Sequence, residues 1–323
     1  MIYLDNGATS FRKPPGVYRA VERAMYTCAN PGRGGYPAAM EASETVYACR
    51  EAAAELFHCR PEQVALTTSC THGLNIAIRS IVKPGGRVIV SGFEHNAVTR
   101  VLRHFEQLGQ ITVTELAVSE SLEYDMVRIR YQFDAIRPDL VIVSHASNVI
   151  GLVAPVEDIF ALSKEHGAVT LVDMAQTAGL VDLNVGLETV DYAVFAGHKT
   201  LLGPTGISGF IMNPAANLPP ILFGGTGFDS ANQNMPDSLP EKYEMGTLNL
   251  AGVAGLNAAL KWIKEQTIER LYQEEKLKRQ RLLELLSDYD FLTVVGNVEG
   301  RKYVGIVSCL VEGTSSDSAG SIF

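Results

Sequence analysis

The chain is predicted to be an α/β protein: a mostly parallel central sheet covered by helices on both faces, with a smaller α+β unit at its carboxyl end. Three observations predict this. Short apolar strand-like runs alternate with segments of helical periodicity, the pattern of a parallel sheet with helical crossovers. Residues with chemical potential cluster just after those runs, where ligands of such sheets gather. The length of 323 residues suits one large domain with a smaller one attached.

The elements follow in chain order. Residues 1–20 form an expected N-terminal segment lying close to the functional cleft, 21–262 the large domain, and 263–323 a small domain incomplete at its carboxyl end. Residues 37–58 carry helix formers with apolar spacing. A Pro84-Gly85-Gly86 turn introduces a strand at 87–91, and Val98, Val101, Leu102 and Phe105 give helical spacing after it. A strand at 140–144, a helix through Ile159, Leu162 and Ser163, and a strand at 169–173 repeat the alternation. From Trp262 to about Leu286, with Ile263, Ile268, Leu271 and Leu282, one long amphipathic helix is expected to lead into the small domain.

Composition narrows the function. Hydrophobic residues make up 46% and charged residues 20%, an ordinary globular balance. With 27 Lys+Arg against 36 Asp+Glu the net charge is −9, so nothing draws the chain to nucleic acid or to an anionic membrane. No apolar run approaches the roughly 18 residues of a spanning helix, and the opening residues lack the basic and apolar regions of a signal peptide. A cytoplasmic protein with a small-molecule or protein partner is expected. The cysteines, Cys28, Cys49, Cys59, Cys70 and Cys309, are odd in number and form no C-x-x-C pair, which argues for free thiols and against a metal site. Cys309, inside the apolar run 304–311, reads as a core residue.

Two strand exits carry the chemistry. Asp173 ends the run Val169-Thr170-Leu171-Val172, and Lys199 follows Phe195-Ala196-Gly197-His198. A lysine amine and an aspartate at neighbouring strand ends are what pyridoxal phosphate requires: the amine forms a Schiff base with the aldehyde, and the carboxylate keeps the ring nitrogen protonated. Either residue alone reads equally as a surface charge or a helix cap. The hydroxyl-rich segment Thr67-Thr68-Ser69-Cys70-Thr71 opens a helix, whose free N–H groups with the Thr71 hydroxyl suit a phosphate, or else form a plain N-cap. His95 is placed to stack on a planar ring or to fill a structural role. Asn148 is placed to donate to a ring oxygen or a substrate carboxylate, or to form an Asx-turn.

The ordered set is more specific than its parts. Leu4-Asp5-Asn6-Gly7-Ala8-Thr9-Ser10, Asn30-Pro31-Gly32-Arg33-Gly34-Gly35, Thr71-His72-Gly73-Leu74-Asn75, Glu94-His95-Asn96, His145-Ala146-Ser147-Asn148-Val149-Ile150-Gly151, Asp173-Met174-Ala175-Gln176, Gly197-His198-Lys199, Gly203-Pro204-Thr205-Gly206 and Glu244-Met245-Gly246-Thr247-Leu248-Asn249 occur in that sequence. The chain thereby resembles the class V aminotransferases of PLP fold type I, and among them the cysteine desulfurases and their close relatives, from residue 3 to about 313.

The resemblance implies a three-layer fold, pyridoxal 5'-phosphate as cofactor, and conversion of cysteine to alanine with an enzyme persulfide, passed to a possible protein acceptor. It implies Lys199 as Schiff-base lysine and proton shuttle, Asp173 as partner of the ring nitrogen, Gln176 as donor to the phenolic oxygen and His95 as the stacking imidazole. Thr71, the Cys70 backbone and His198 match phosphate contacts. Thr247 matches a residue that reaches the phosphate of a neighbouring subunit, which implies a homodimer. Asn148, Gly7 and Ala8 match the surroundings of the substrate carboxylate, with Arg33 nearby. An aminotransferase, a selenocysteine lyase, an epimerase and a non-catalytic PLP-binding protein are the alternatives within the fold.

Two departures stand out. Ala196 stands where relatives carry Ser or Thr, removing a hydroxyl donor to the phosphate that contributes on the order of 1.5–3 kcal/mol. The persulfide-forming cysteine and the carboxylate-clamping arginine of the family lie beyond the strand matching 303–311, and neither is assignable before Phe323, so a shortened chain is expected.

Overall fold

The computed structural model describes residues 2–32, 34–213, 218–227 and 231–320. Helices α1 (Pro15–Thr27) and α2 (Pro37–Leu56) each open on a proline, whose fixed φ and missing N–H suit the first helical position. Then follow β1 (Val64–Thr67), α3 (Cys70–Ile81), β2 (Gly86–Val90), α4 (Asn96–Gln107), β3 (Ile111–Glu115), α5 (Met126–Ile136), β4 (Leu140–Ser144), α6 (Val156–Glu165), β5 (Val169–Asp173), β6 (Tyr192–Ala196) and β7 (Ser208–Met212). The chain continues with α7 (Leu250–Gln266), α8 (Ile268–Leu286), β8 (Leu292–Val294), β9 (Cys309–Val311) and α9 (Ser316–Gly320).

Among the described residues, β1 to β7 form one sheet in the order β1-β7-β6-β5-β4-β2-β3. The pairs from β3 to β6 are parallel, and β7 runs antiparallel to both β6 and β1. Every residue of β4, β6 and β7 is buried, as strands covered on both faces must be. Successive side chains alternate between two cores. Val141, Val143, Val172 and Phe195 meet Phe160 of α6 and Leu256 and Leu260 of α7 on one face; Ile142, Leu171, Val194 and Phe210 meet Leu74 and Ile78 of α3 and Leu102 of α4 on the other. The expected α/β sheet with helices on both faces is what the chain adopts.

Two expectations need correction. The helix from Trp262 to Leu286 is two helices: Trp262 belongs to α7, and the chain breaks at Thr267, whose φ of 63° leaves the helical region. Thr267 then caps α8, its side chain accepting from Arg270 N at 3.4 Å. Apolar spacing runs across the break unchanged, so periodicity alone did not register it. Cys309 is not a core residue either. Only 309–311 of the apolar run form a strand, in a two-stranded ribbon where Cys309 faces Val294, is half-buried, and precedes an exposed Leu310.

Segment 302–306 returns to the large sheet. Val153 N donates to Lys302 O at 3.0 Å and Val304 N to Gly151 O at 2.9 Å, which lays it against the loop after β4. Gly151 has φ +73°, and a Cβ there would meet Ile306 O at 2.7 Å. Only glycine allows that approach.

Candidate active site

Because β2, β4, β5 and β6 are parallel, their carboxyl ends open at one edge of the sheet. Register fixes who meets whom: Ser144 lies opposite Asp173, and Asp173 opposite Val194, five residues before Lys199.

Asp173 is buried. Its Oδ1 accepts from Ala175 N at 2.8 Å and from the Cys70 thiol at 3.5 Å. Burial pushes the carboxyl up, while the Ala175 amide, Lys199, the Cys70 thiol and His95 pull it back. No described cation forms an ion pair with it. Cys70 itself is driven well above the usual thiol range by burial and by the Asp173 charge.

At the start of α3 the cap is Ser69, whose Oγ accepts from His72 N at 3.1 Å, while Gly73 N bonds Ser69 O at 3.2 Å. The N–H groups of Cys70 and Thr71, in the first turn, have no acceptor within the helix. Thr71 is exposed. The two readings of this segment are therefore compatible, because Ser69 caps the helix and leaves Thr71 free.

The loop holding Lys199 is braced by residues 7–13. His198 Nδ1 lies 2.8 Å from Thr9 Oγ1, and the His198 carbonyl accepts from Ser10 N and Ser10 Oγ, both at 3.0 Å. Lys13 Nζ donates to Ser10 O at 2.9 Å and Ser10 Oγ at 2.7 Å. Burial, then the charges of Lys199 and Lys13, hold His198 below its ordinary value. Gln176, buried at the turn after β5, donates from Nε2 to Gly7 O at 2.9 Å. Ala8 is exposed beside it. Gly197 permits the loop's start: a Cβ there would sit 2.4 Å from Ile207 O.

His95 is exposed and caps α4, its Nδ1 accepting from Ala97 N at 3.1 Å, so Nε2 is the ring nitrogen left to meet a ligand. After β4 the turn is held by Ser147, whose Oγ accepts from Val149 N and Ile150 N, both at 3.2 Å. Asn148 is not the turn-former: its half-buried amide makes none of the hydrogen bonds found among the described residues. Thr247 is exposed, between Glu244, bound to Leu66 N at 2.6 Å and to Arg50, and Asn249, which caps α7 at Gly252 N. Arg33 lies outside the described residues. The sequence reading assigned no role to Lys13 or to Glu94; the only signal was their position inside or next to motifs already singled out.

The profile of the family described as aminotransferase class-V matches residues 2–323. The chain belongs to that family. Class V members depend on pyridoxal phosphate, and this member is such an enzyme. The chain is 26% identical over 316 residues to a probable cysteine desulfurase of Pyrococcus abyssi, covering 95% of this chain and 78% of that protein. To a probable cysteine desulfurase of Methanothermobacter thermautotrophicus it is 29% identical over 302 residues, covering 92% and 75%. The apo structure of a cysteine desulfurase from Thermococcus onnurineus NA1 superposes with a TM-score of 0.91 at 25% identity, over 99% of this class V chain and 81% of that one. No helix of the described residues is long and apolar enough to cross a membrane.

Proposed function

We propose that this class V enzyme uses pyridoxal 5'-phosphate to convert cysteine to alanine, handing the sulfur to a thiol as a persulfide. The observation that carries the reading is Asp173: a buried carboxylate with no ion-pair partner among the described residues, at the sheet edge that also delivers Lys199. Such a group is costly unless a cation meets it, and a protonated ring nitrogen fits. The remaining residues fit the same group. The free N–H groups of Cys70 and Thr71, the Thr71 hydroxyl and His198 Nε2 would hold the phosphate, with Thr247 supplied by a neighbouring subunit of a homodimer. The second amide N–H of Gln176 would meet the phenolic oxygen, His95 would cover the ring, and Lys199 Nζ would hold the aldehyde end.

Bound pyridoxal phosphate supplies an electron sink for negative charge developing at the substrate Cα. The chain's residues do the rest. Asp173 keeps positive charge at the ring nitrogen. Lys199 Nζ takes and returns the Cα proton. Asn148, the backbone of Gly7 and Ala8, and Arg33 bind the substrate carboxylate. His95 shields the face of the site from water.

Sulfur transfer needs a thiolate that attacks the substrate Sγ: a sulfur–sulfur bond forms, the Cβ–Sγ bond breaks with its electron pair left on Cβ, and protonation at Cβ and Cα then gives alanine. Burial raises the thiols of Cys49 and Cys59 to about 12, and pushes those of Cys70 and Cys309 upward, so none of these four is poised for attack. A second reading is Cα chemistry without sulfur transfer, as in an aminotransferase. Incubation with cysteine and a thiol reductant that releases the persulfide sulfur as sulfide, measuring alanine and sulfide together, against incubation with an amino acid and a keto-acid acceptor, separates the two. Equimolar alanine and sulfide supports the first reading; product from the keto acid alone replaces it with the second.

A further inference from the structure

Glu94 stands where β2 gives way to α4, directly before His95. Its side chain spans two strand exits. Oε1 accepts from Ser91 Oγ at 2.5 Å and from Ser144 N at 2.6 Å, and Oε2 accepts from Ser144 Oγ at 2.9 Å. Ser91 continues β2, its N–H bonded to Ile142 O at 3.0 Å, and Ser144 ends β4 opposite Asp173. One carboxylate therefore ties the residue before His95 to the strand beside Asp173. Helix α4 needs no such group for its own start, because His95 already caps it.

We propose that Glu94 is a positioning residue for the reaction, fixing His95 relative to Asp173 through Ser144. The proposal rests on the reading above, in which His95 and Asp173 both face the cofactor ring. It also explains why a carboxyl group is kept in an unfavourable place. Burial, with the charge of Asp173 adding, pushes Glu94 up to about 7, against the pull of Ser91 and Ser144. Tyr124, packed edge-on against Phe93, faces the same carboxylate. The hydrogen-bond geometry, rather than the charge, is what a positioning role requires. A glutamine keeps it, since its oxygen accepts from Ser91 and Ser144 N while its amide donates to Ser144 Oγ, which then acts as acceptor.

The experiment compares Glu94→Ala, Glu94→Gln, Ser144→Ala and His95→Ala in the cofactor-loaded protein, following deuterium exchange at the Cα of alanine by NMR. It also records the imidazole nitrogen shifts of His95 in the cofactor-free protein. Glu94→Ala is expected to slow exchange about 100-fold, the scale of an ångström-sized misplacement, at little changed KM, and to move the His95 shifts. Glu94→Gln is expected to restore both. Ser144→Ala, which leaves the backbone bond, should fall between them and serves if Glu94→Ala does not fold. Equal damage from Gln and Ala would show that charge matters and positioning does not, and unchanged rates in Glu94→Ala and Ser144→Ala would overturn the proposal. If His95→Ala is slow while Glu94→Ala is not, this proposal alone fails; if His95→Ala exchanges at the full rate, the assigned role of His95 fails with it.

Discussion

The Gln176 amide donates to the carbonyl of Gly7 at 2.9 Å, joining the turn after β5 to the N-terminal segment across 169 residues of chain. The bond comes from the same side chain assigned to the cofactor's phenolic oxygen. On the proposed function it would tie the residues assigned to the substrate carboxylate to the residue assigned to the ring. Gln176→Ala should loosen residues 5–10 by about 0.5–1.5 kcal/mol, the net worth of one such hydrogen bond. Hydrogen exchange at Ala8, Thr9 and Ser10 should quicken while β5 stays protected; unchanged protection would show that Thr9 and Ser10 alone hold the segment.

Lys199 should carry the cofactor. The protein loaded with pyridoxal phosphate should be yellow, and borohydride reduction followed by peptide mapping should place the adduct on Lys199. An adduct on Lys13, the other amine acting on His198, would refute the assignment.

Replacing Asp173 should separate chemistry from binding. Asp173→Ala is expected to slow Cα-proton exchange about 10²–10³-fold, as when a preorganised electrostatic partner is removed, while much of the cofactor stays bound through the phosphate contacts. Thr71→Ala should do the reverse, weakening retention more than rate. Full exchange in Asp173→Ala would reduce the carboxylate to a structural role.

His145 predicts a pH dependence of stability. Its ring is buried, Nδ1 has no hydrogen-bond partner among the described residues, and burial, with Lys302 adding, lowers it from 6.5 to about 4. Between those values the unfolded chain binds a proton that the folded chain refuses, so the stabilisation is full above pH 6.5 and is lost as pH falls towards 4. The contribution is on the order of 3 kcal/mol. Urea unfolding at pH 7 and pH 4.5 should show His145→Leu losing less stability on acidification than the unsubstituted protein; parallel losses would remove His145 from the account.

Gly151→Ala should destabilise the fold by about 1–3 kcal/mol, because alanine at φ +73° is strained and its Cβ meets the Ile306 carbonyl. A shift in the denaturation midpoint measures it. Tolerance of alanine would mean that segment 302–306 moves away at little cost.

Much of this was legible beforehand where one residue type answers one physical demand. The mostly apolar runs at 140–144 and 169–173 became central strands because a strand covered on both faces buries nearly every residue. The position of Asp173 at one strand end and of Lys199 just past a neighbouring one was legible because both follow short apolar runs. Thr267 was not, since apolar spacing continues through the break and the φ reversal leaves no pattern in the neighbouring residues. Nor was Glu94: its significance lies in Ser91 and Ser144, and Ser144 is fifty residues away in the chain. Asn148 was read with two possible roles, and the turn itself is held by the Ser147 hydroxyl, so the Asx-turn reading of Asn148 does not describe it.

The reversed direction of β7 has a consequence for Lys199. Since β6 and β7 are antiparallel neighbours, residues 197–207 leave and re-enter the sheet at the same edge, with Ala196 opposite Ser208. The circuit is short and closed from within, by Gly203 N on Gly197 O at 2.7 Å and Leu202 N on Lys199 O at 2.9 Å. A brief loop between paired strands has little freedom to lose. The backbone at Lys199 is thus held in place by the sheet's own pairing, so little backbone ordering is left to be done when a ligand arrives, and binding energy remains for the substrate.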